Sequence, residues 1–218
     1  VQEPLRRRYD ADHPPSPPRR GTTLDSIRAI GRSADLVRLT VAAVVLSIAL
    51  TCFMSFLVSL LSLELAYPLS IAGTIYACAQ MGAVAGRLMG GAVAGRWVAP
   101  TSFLMLVGFS MVATSTALGA SNPAWPVAMV GIAAVLAGIA SGGWLGVCLS
   151  ECARLAPPDQ VGLVTGGVLF FHYLTLIVTP LAFAAFAARL GYGWAYIAVG
   201  VVTFTGLIPL VLRRSRPA

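Results

Sequence analysis

The sequence contains no lysine, and only 11% of its 218 residues are charged. An ordinary soluble domain carries about 25% charge, so there is too little here to cover a globular surface in water. That deficit excludes a soluble enzyme. The 57% hydrophobic content excludes a disordered chain. Cysteine is scarce as well. Cys52, Cys78, Cys148 and Cys152 fall within apolar runs or at their ends, which excludes a disulfide scaffold. Cys148 and Cys152 stand one helical turn apart, but no His or further Cys lies nearby in the sequence to complete a metal site, so they read as small packing residues. No phosphate-cradling loop or nucleotide motif occurs, and no cofactor or metal is expected. The formal charge of +7 does not point to nucleic acid, because the arginines flank apolar runs instead of striping one soluble face.

What the sequence does have is long uncharged runs. A bilayer core about 30 Å thick needs roughly 20 helical residues. Uncharged stretches of 25, 22, 54, 29 and 23 residues follow Arg38, Glu64, Arg96, Asp159 and Arg189 in turn. The longest is broken by Ser121-Asn122-Pro123-Ala124-Trp125-Pro126, a turn signal, and so makes two crossings. The pattern predicts six spans, at 39–63, 69–90, 101–120, 127–149, 161–186 and 193–212. None of the runs alternates with period two, which excludes a transmembrane barrel. The fold class is therefore all-α, a polytopic bundle in the lipid bilayer.

Arginine placement orients the bundle. With six crossings both termini share one side. That side carries fourteen of the fifteen arginines; only Arg189 lies opposite. The positive-inside rule makes the arginine-rich side cytoplasmic, as expected of a bacterial inner-membrane protein. Tyr67, Trp97, Trp125, Tyr192 and Trp194 fall near span ends, where amphipathic rings prefer to sit.

Ahead of the spans, residues 1–22 are rich in Pro and Arg and read as a disordered cytoplasmic linker. Residues 23–37 differ. A threonine cap, Asp25 in the first turn and apolar residues at helical spacing predict an interfacial helix. Residues 38–212 form the membrane domain and 213–218 a basic cytoplasmic tail. The chain opens without an initiating Met or a signal peptide and reads as cut from something longer.

The segment Gly82-Ala-Val-Ala-Gly86-Arg87-Leu-Met-Gly90-Gly91-Ala-Val-Ala-Gly95-Arg96 joins span two to the next loop. Gly82, Gly86 and Gly90 make consecutive GxxxG steps, which let a neighbouring backbone approach. Gly90-Gly91 is expected to allow a tight turn. In loose form the run resembles the cytoplasmic loop motif of the major facilitator superfamily, G-x-x-x-x-R-x-G-G-x-x-x-D-R, with Gly86, Arg87, Gly90, Gly91 and Arg96 as its gating residues. Gly95 stands where the family has an acid. The resemblance covers essentially the whole chain. It implies the cytoplasmic linker plus the C-terminal six-helix half of a transporter, two three-helix repeats that partner an N-terminal half and bind a small-molecule substrate between the halves.

The same resemblance puts spans one and four beside the central cavity. Span one carries Ser47, Thr51, Ser55 and Ser59 at i+4 steps. Such a row either lines a cavity or turns each hydroxyl back onto its own helix. Span four carries Gly138, Gly142, Gly143 and Gly146, expected to open a kink beside Trp144. His172 is the ionisable side chain deep inside a span, a functional candidate by position; the alternative is a neutral His bonded within the bundle. Gln80 and Tyr76 form an i+4 polar pair in span two, and Glu151 and Arg154 are spaced to pair. Ser55, Ser59, Gln80, Trp144 and His172 are the candidate substrate-binding residues. An intramembrane serine protease of rhomboid type is the enzyme alternative, but Ile139 breaks its Gly-x-Ser-Gly signature at Ser141 and His172 falls on the wrong span. A non-transporting scaffold leaves the loop motif unexplained.

Overall fold

The structure, a computed structural model, describes residues 22–214. The expected linker, residues 1–22, lies all but wholly outside the described residues, as does most of the tail at 213–218. Within them the chain forms seven α-helices: α1 (Thr23–Gly31), α2 (Ala34–Ser59), α3 (Leu69–Val93), α4 (Pro100–Gly119), α5 (Val127–Leu155), α6 (Val161–Leu190) and α7 (Tyr192–Arg214). Helices α2 to α7 are long and apolar enough to cross a membrane. The only extended pairing among the described residues is an isolated bridge between Ala94 and Val98. The bundle is thus the all-α, six-span fold that the charge gaps predict.

Local chemistry sets the helix ends. The Thr22 side chain accepts from the Asp25 N–H, while the Thr22 N–H and hydroxyl donate to Asp25 Oδ2 at 2.9 and 2.7 Å. This is a capping box. These bonds from Thr22 hold the Asp25 carboxyl below the usual carboxylate range. Helix α1 stops at Gly31, not at residue 37. The Leu36 N–H donates to Ser33 Oγ at 3.5 Å, so Ser33 caps α2, and residues 34–37 belong to the first span. Pro68 and Pro126 precede α3 and α5, and Pro100 opens α4, where a missing N–H costs nothing. At the far end, α2 passes into a π-helical turn, Leu60–Glu64, so the first apolar stretch runs unbroken from Ala34 to Glu64.

Helix α5 runs to Leu155, beyond the expected end at 149. Two bonds hold its last turn: Arg154 Nε and Nη2 donate to Glu151 Oε2 and Oε1 at 2.8 and 2.6 Å. With its charge answered inside the helix, Glu151 stays helical and buried, 1% exposed.

The helices pair in a pattern. Helix α3 lies along α5, α4 along both α7 and α5, and α2 along both α7 and α6. Exchanging the first three spans for the last three turns the α3–α5 contact into the α6–α2 contact and leaves α4–α7 unchanged. This is the pairing of two like three-helix repeats. Helix α1 rests on α6, burying Ser26, Ala29 and Ile30. Gly167 makes the notch for it, since a Cβ there would meet Ile30 Cδ1 at 2.8 Å and Ser26 Cβ at 3.1 Å.

The α3–α5 contact is where the glycines act. A Cβ on Gly82 would sit 2.8 Å from the Val135 carbonyl oxygen, and one on Gly90 2.6 Å from that of Gly143. A Cβ on Gly86 would overlap the Ile139 carbonyl. Reciprocally, Gly138 and Gly142 face the carbonyls of Ala79 and Ala83. The glycines of span four leave α5 helical throughout, and three of them receive the backbone of α3. One expectation is corrected: Gly90 and Gly91 do not make the turn. The helix continues to Val93, and the reversal falls at Gly95, φ +82°, a left-handed conformation that suits glycine.

Candidate functional site

Three spans meet at one polar cluster. Ser47 of α2, Trp144 of α5 and His172 of α6 are all buried, the first two completely and His172 to 6% exposure. Ser47 Oγ lies 2.6 Å from the Ala43 carbonyl oxygen of its own helix and 2.7 Å from His172 Nδ1. A serine hydroxyl has one proton, and a carbonyl oxygen can only accept. The Ser47 proton therefore goes to Ala43, and Nδ1 carries a proton that it donates to Ser47 Oγ. The Trp144 and His172 rings meet edge to face, with centroids 5.7 Å apart. Thr175 Oγ1 donates to the His172 carbonyl at 2.6 Å, fixing that turn of α6.

The structure brings two of the five candidate binding residues together, His172 and Trp144. Trp144 is fully buried among the helices. Ser55 and Ser59 lie further along α2, exposed and half-buried respectively. Gln80, on α3, donates to Tyr76 Oη at 3.1 Å, the i+4 pairing expected. The serine row divides: Ser47 and Thr51 turn back onto their own helix, while Ser55 faces outward. Ser47 belongs to that row and is not among the five candidates. The row was the only signal for it, because its partner lies 125 positions away.

The arrangement gives no support to a serine protease. Ser141 donates to the Gly138 carbonyl of its own helix at 2.8 Å, and the serine that meets His172 is Ser47, which lies in another span.

The loop motif borders a second feature. Arg87, Gly90, Gly91 and Gly95 line a cleft of about 720 Å³ together with Gly142, Gly143 and Ser150. Gly86 and Gly90 are buried in the α3–α5 contact, whereas Arg87, Gly91 and Arg96 are exposed. The motif thus splits into two glycines that pack helices, Gly86 and Gly90, and three residues that face outward, Arg87, Gly91 and Arg96. At the other end of the bundle, the Gly193 N–H donates to Glu64 Oε2 at 3.0 Å, so the end of the first span caps the start of α7. The Tyr196 hydroxyl donates to the Cys52 carbonyl at 3.2 Å, another tie between α2 and α7.

A family model described as Major Facilitator Superfamily matches residues 8–218. None of the curated proteins matches the chain.

Proposed function

The chain belongs to the major facilitator superfamily, and from that premise, as an integral membrane protein of a transporter family, we propose that it is the C-terminal six-helix half of a secondary transporter. In this reading an N-terminal half of like architecture packs against it, and a small solute binds between the two. Rocking of the halves then opens the site to each side in turn. A gradient drives the cycle, since the chain has no nucleotide motif. The protein works by transport and not by catalysis. The observation that carries the reading is the family match over nearly the full length, together with a six-span bundle whose helices pair as two three-helix repeats.

The bacterial inner membrane is the proposed location, with both termini cytoplasmic. The arginine asymmetry supports that orientation. His172, Trp144, Ser55, Ser59 and Gln80 are the proposed substrate contacts, and Arg87 and Arg96 the proposed gating residues of the loop.

The test is solute flux into proteoliposomes. The chain is expected to catalyse none alone and to support uptake when co-expressed with the proposed upstream half, screened over labelled sugars, amino acids, organic acids and amines. Robust uptake by the lone chain would contradict the half-transporter reading.

A further inference from the structure

The Ser47–His172 bond leaves one imidazole nitrogen unaccounted for. With Nδ1 protonated and bonded to Ser47, the neutral ring presents a bare lone pair at Nε2. The neutral form is the one that suits the site, because a charged ring at membrane depth is expensive and the glutamates that end the first and fourth spans are engaged elsewhere. Glu151 is held by Arg154, and Glu64 caps α7. Beside the imidazole stands Trp144, whose Nε1–H is the one buried side-chain polar atom among the described residues with no hydrogen-bond partner. An acceptor and a donor thus stand on neighbouring rings that meet edge to face, with centroids 5.7 Å apart.

We propose that Trp144 Nε1 and His172 Nε2 form a two-point site for a neutral hydroxyl, an oxygen that accepts from the indole and donates to the imidazole. The chemistry selects against other groups. A carbonyl oxygen would satisfy Trp144 but leave Nε2 without a donor. An ammonium would satisfy Nε2 but has no lone pair for Trp144. A carboxylate would set its oxygens against the Nε2 lone pair. Water and an alcohol each satisfy both. The alcohol, as a hydroxyl of the transported solute, rests on the transporter reading; the site itself does not. Ser47 acts here as a positioning residue, since its bond to Ala43 is what fixes the tautomer.

The experiment is nitrogen NMR of the full chain in lipid bilayers, with 15N-labelled His and Trp. Trp144→Phe and His172→Gln identify the signals among the four tryptophans and two histidines. The expected spectrum shows His172 protonated at Nδ1 and bare at Nε2, and a Trp144 indole N–H that receives magnetisation from a hydroxyl proton. In plain buffer that proton is water's. Glycerol then separates the sources, with tetramethylammonium and acetate as ionic controls. Transfer from glycerol protons in place of water supports a solute-hydroxyl site; transfer from water that glycerol leaves unchanged supports a structural water on the same two points. Neither ion is expected to shift either signal. In Ser47→Ala the Nδ1 preference should be lost. A wild-type ring protonated at Nε2 and bare at Nδ1 would overturn the proposal, as would an indole N–H with no oxygen partner in either sample. These signals do not depend on flux, so failure of the transporter reading would leave them unchanged.

Discussion

Ser47 and His172, 125 positions apart, place a hydroxyl oxygen and Nδ1 2.7 Å from each other in the interior of the bundle. The bond ties the first span to the fifth, one of the two equivalent contacts between the three-helix repeats. Interhelical hydrogen bonds in membranes average only ~0.6 kcal/mol, with a maximum near ~1.7. Ser47→Ala is therefore expected to lower the thermal midpoint in mild detergent slightly, and His172→Ala to lower it more, because it also removes the ring that packs on Trp144. If His172 binds substrate as well, its replacement should reduce uptake by the paired halves beyond what the stability loss explains. Both quantities are to be measured on the same preparations. Normal uptake with a lowered midpoint would confine His172 to a structural role.

The α3–α5 contact makes a sharper stability prediction. Gly86→Ala places a methyl group against the Ile139 carbonyl, where the neighbour is backbone and cannot rotate away. Overpacking of this kind costs about 1–3 kcal/mol. Gly91→Ala is the control, since nothing lies within 4 Å of that position. Melting and the yield of monodisperse protein should fall for Gly86→Ala and hold for Gly91→Ala. Equal behaviour of the two would mean that α3 and α5 do not approach as described.

Gly95→Ala tests the turn. At φ +82° a Cβ costs on the order of 1 kcal/mol, although the space around it is open. A small loss of stability with no change in helix packing is expected. No loss would show that the loop readily adopts another conformation.

The Asp25 cap carries a pH dependence of definite sign. Its carboxyl is held below the ordinary value of 3.8 by the bonds from Thr22. A group with a depressed folded pKa contributes its stabilisation above the unfolded value and loses it as pH falls through the folded one. The Thr22 amide resonance should therefore stay in its capped position down to below pH 3.8 and move only under stronger acid, while Asp25→Asn weakens the cap at neutral pH. A midpoint above 3.8 would contradict the capping box.

Orientation is tested by thiol labelling in a cysteine-free background. Ala124→Cys, between α4 and α5, is expected to react with a membrane-impermeant reagent added outside, and Pro158→Cys, between α5 and α6, only after the membrane is opened. The reverse pattern would invert the topology.

Much of this fold is written in the spacing of charges. Arg38, Glu64, Arg87, Arg96, Glu151, Asp159 and Arg189 bracket the spans, because ionised groups avoid lipid. Which face of a span meets which neighbour is not written locally. The glycines of span four read as a kink because glycine weakens an isolated helix; they act as a contact surface because α3 lies against them. Trp144 reads as a candidate binding residue from its depth in the span, and its burial is set by the helices packed around α5. Glu151 ended the expected span since its charge suggested water, whereas Arg154 three residues on lets it stay inside. The motif glycines read as close-approach residues, yet the pair Gly90-Gly91 also reads as a turn, because the packing partner of Gly90, Gly143, is 53 positions beyond it in the sequence.

The central claim is that this bundle lines one wall of a cavity that opens alternately to the two sides of the membrane. Ser55, exposed on α2, tests it without knowledge of the substrate. In a cysteine-free chain paired with the proposed N-terminal half, Ser55→Cys should react with a membrane-impermeant thiol reagent from either face, while Ile177→Cys on α6 stays unreactive. Reaction of Ser55→Cys from neither face, with the protein folded and inserted, would mean that this wall faces lipid, and would contradict the account.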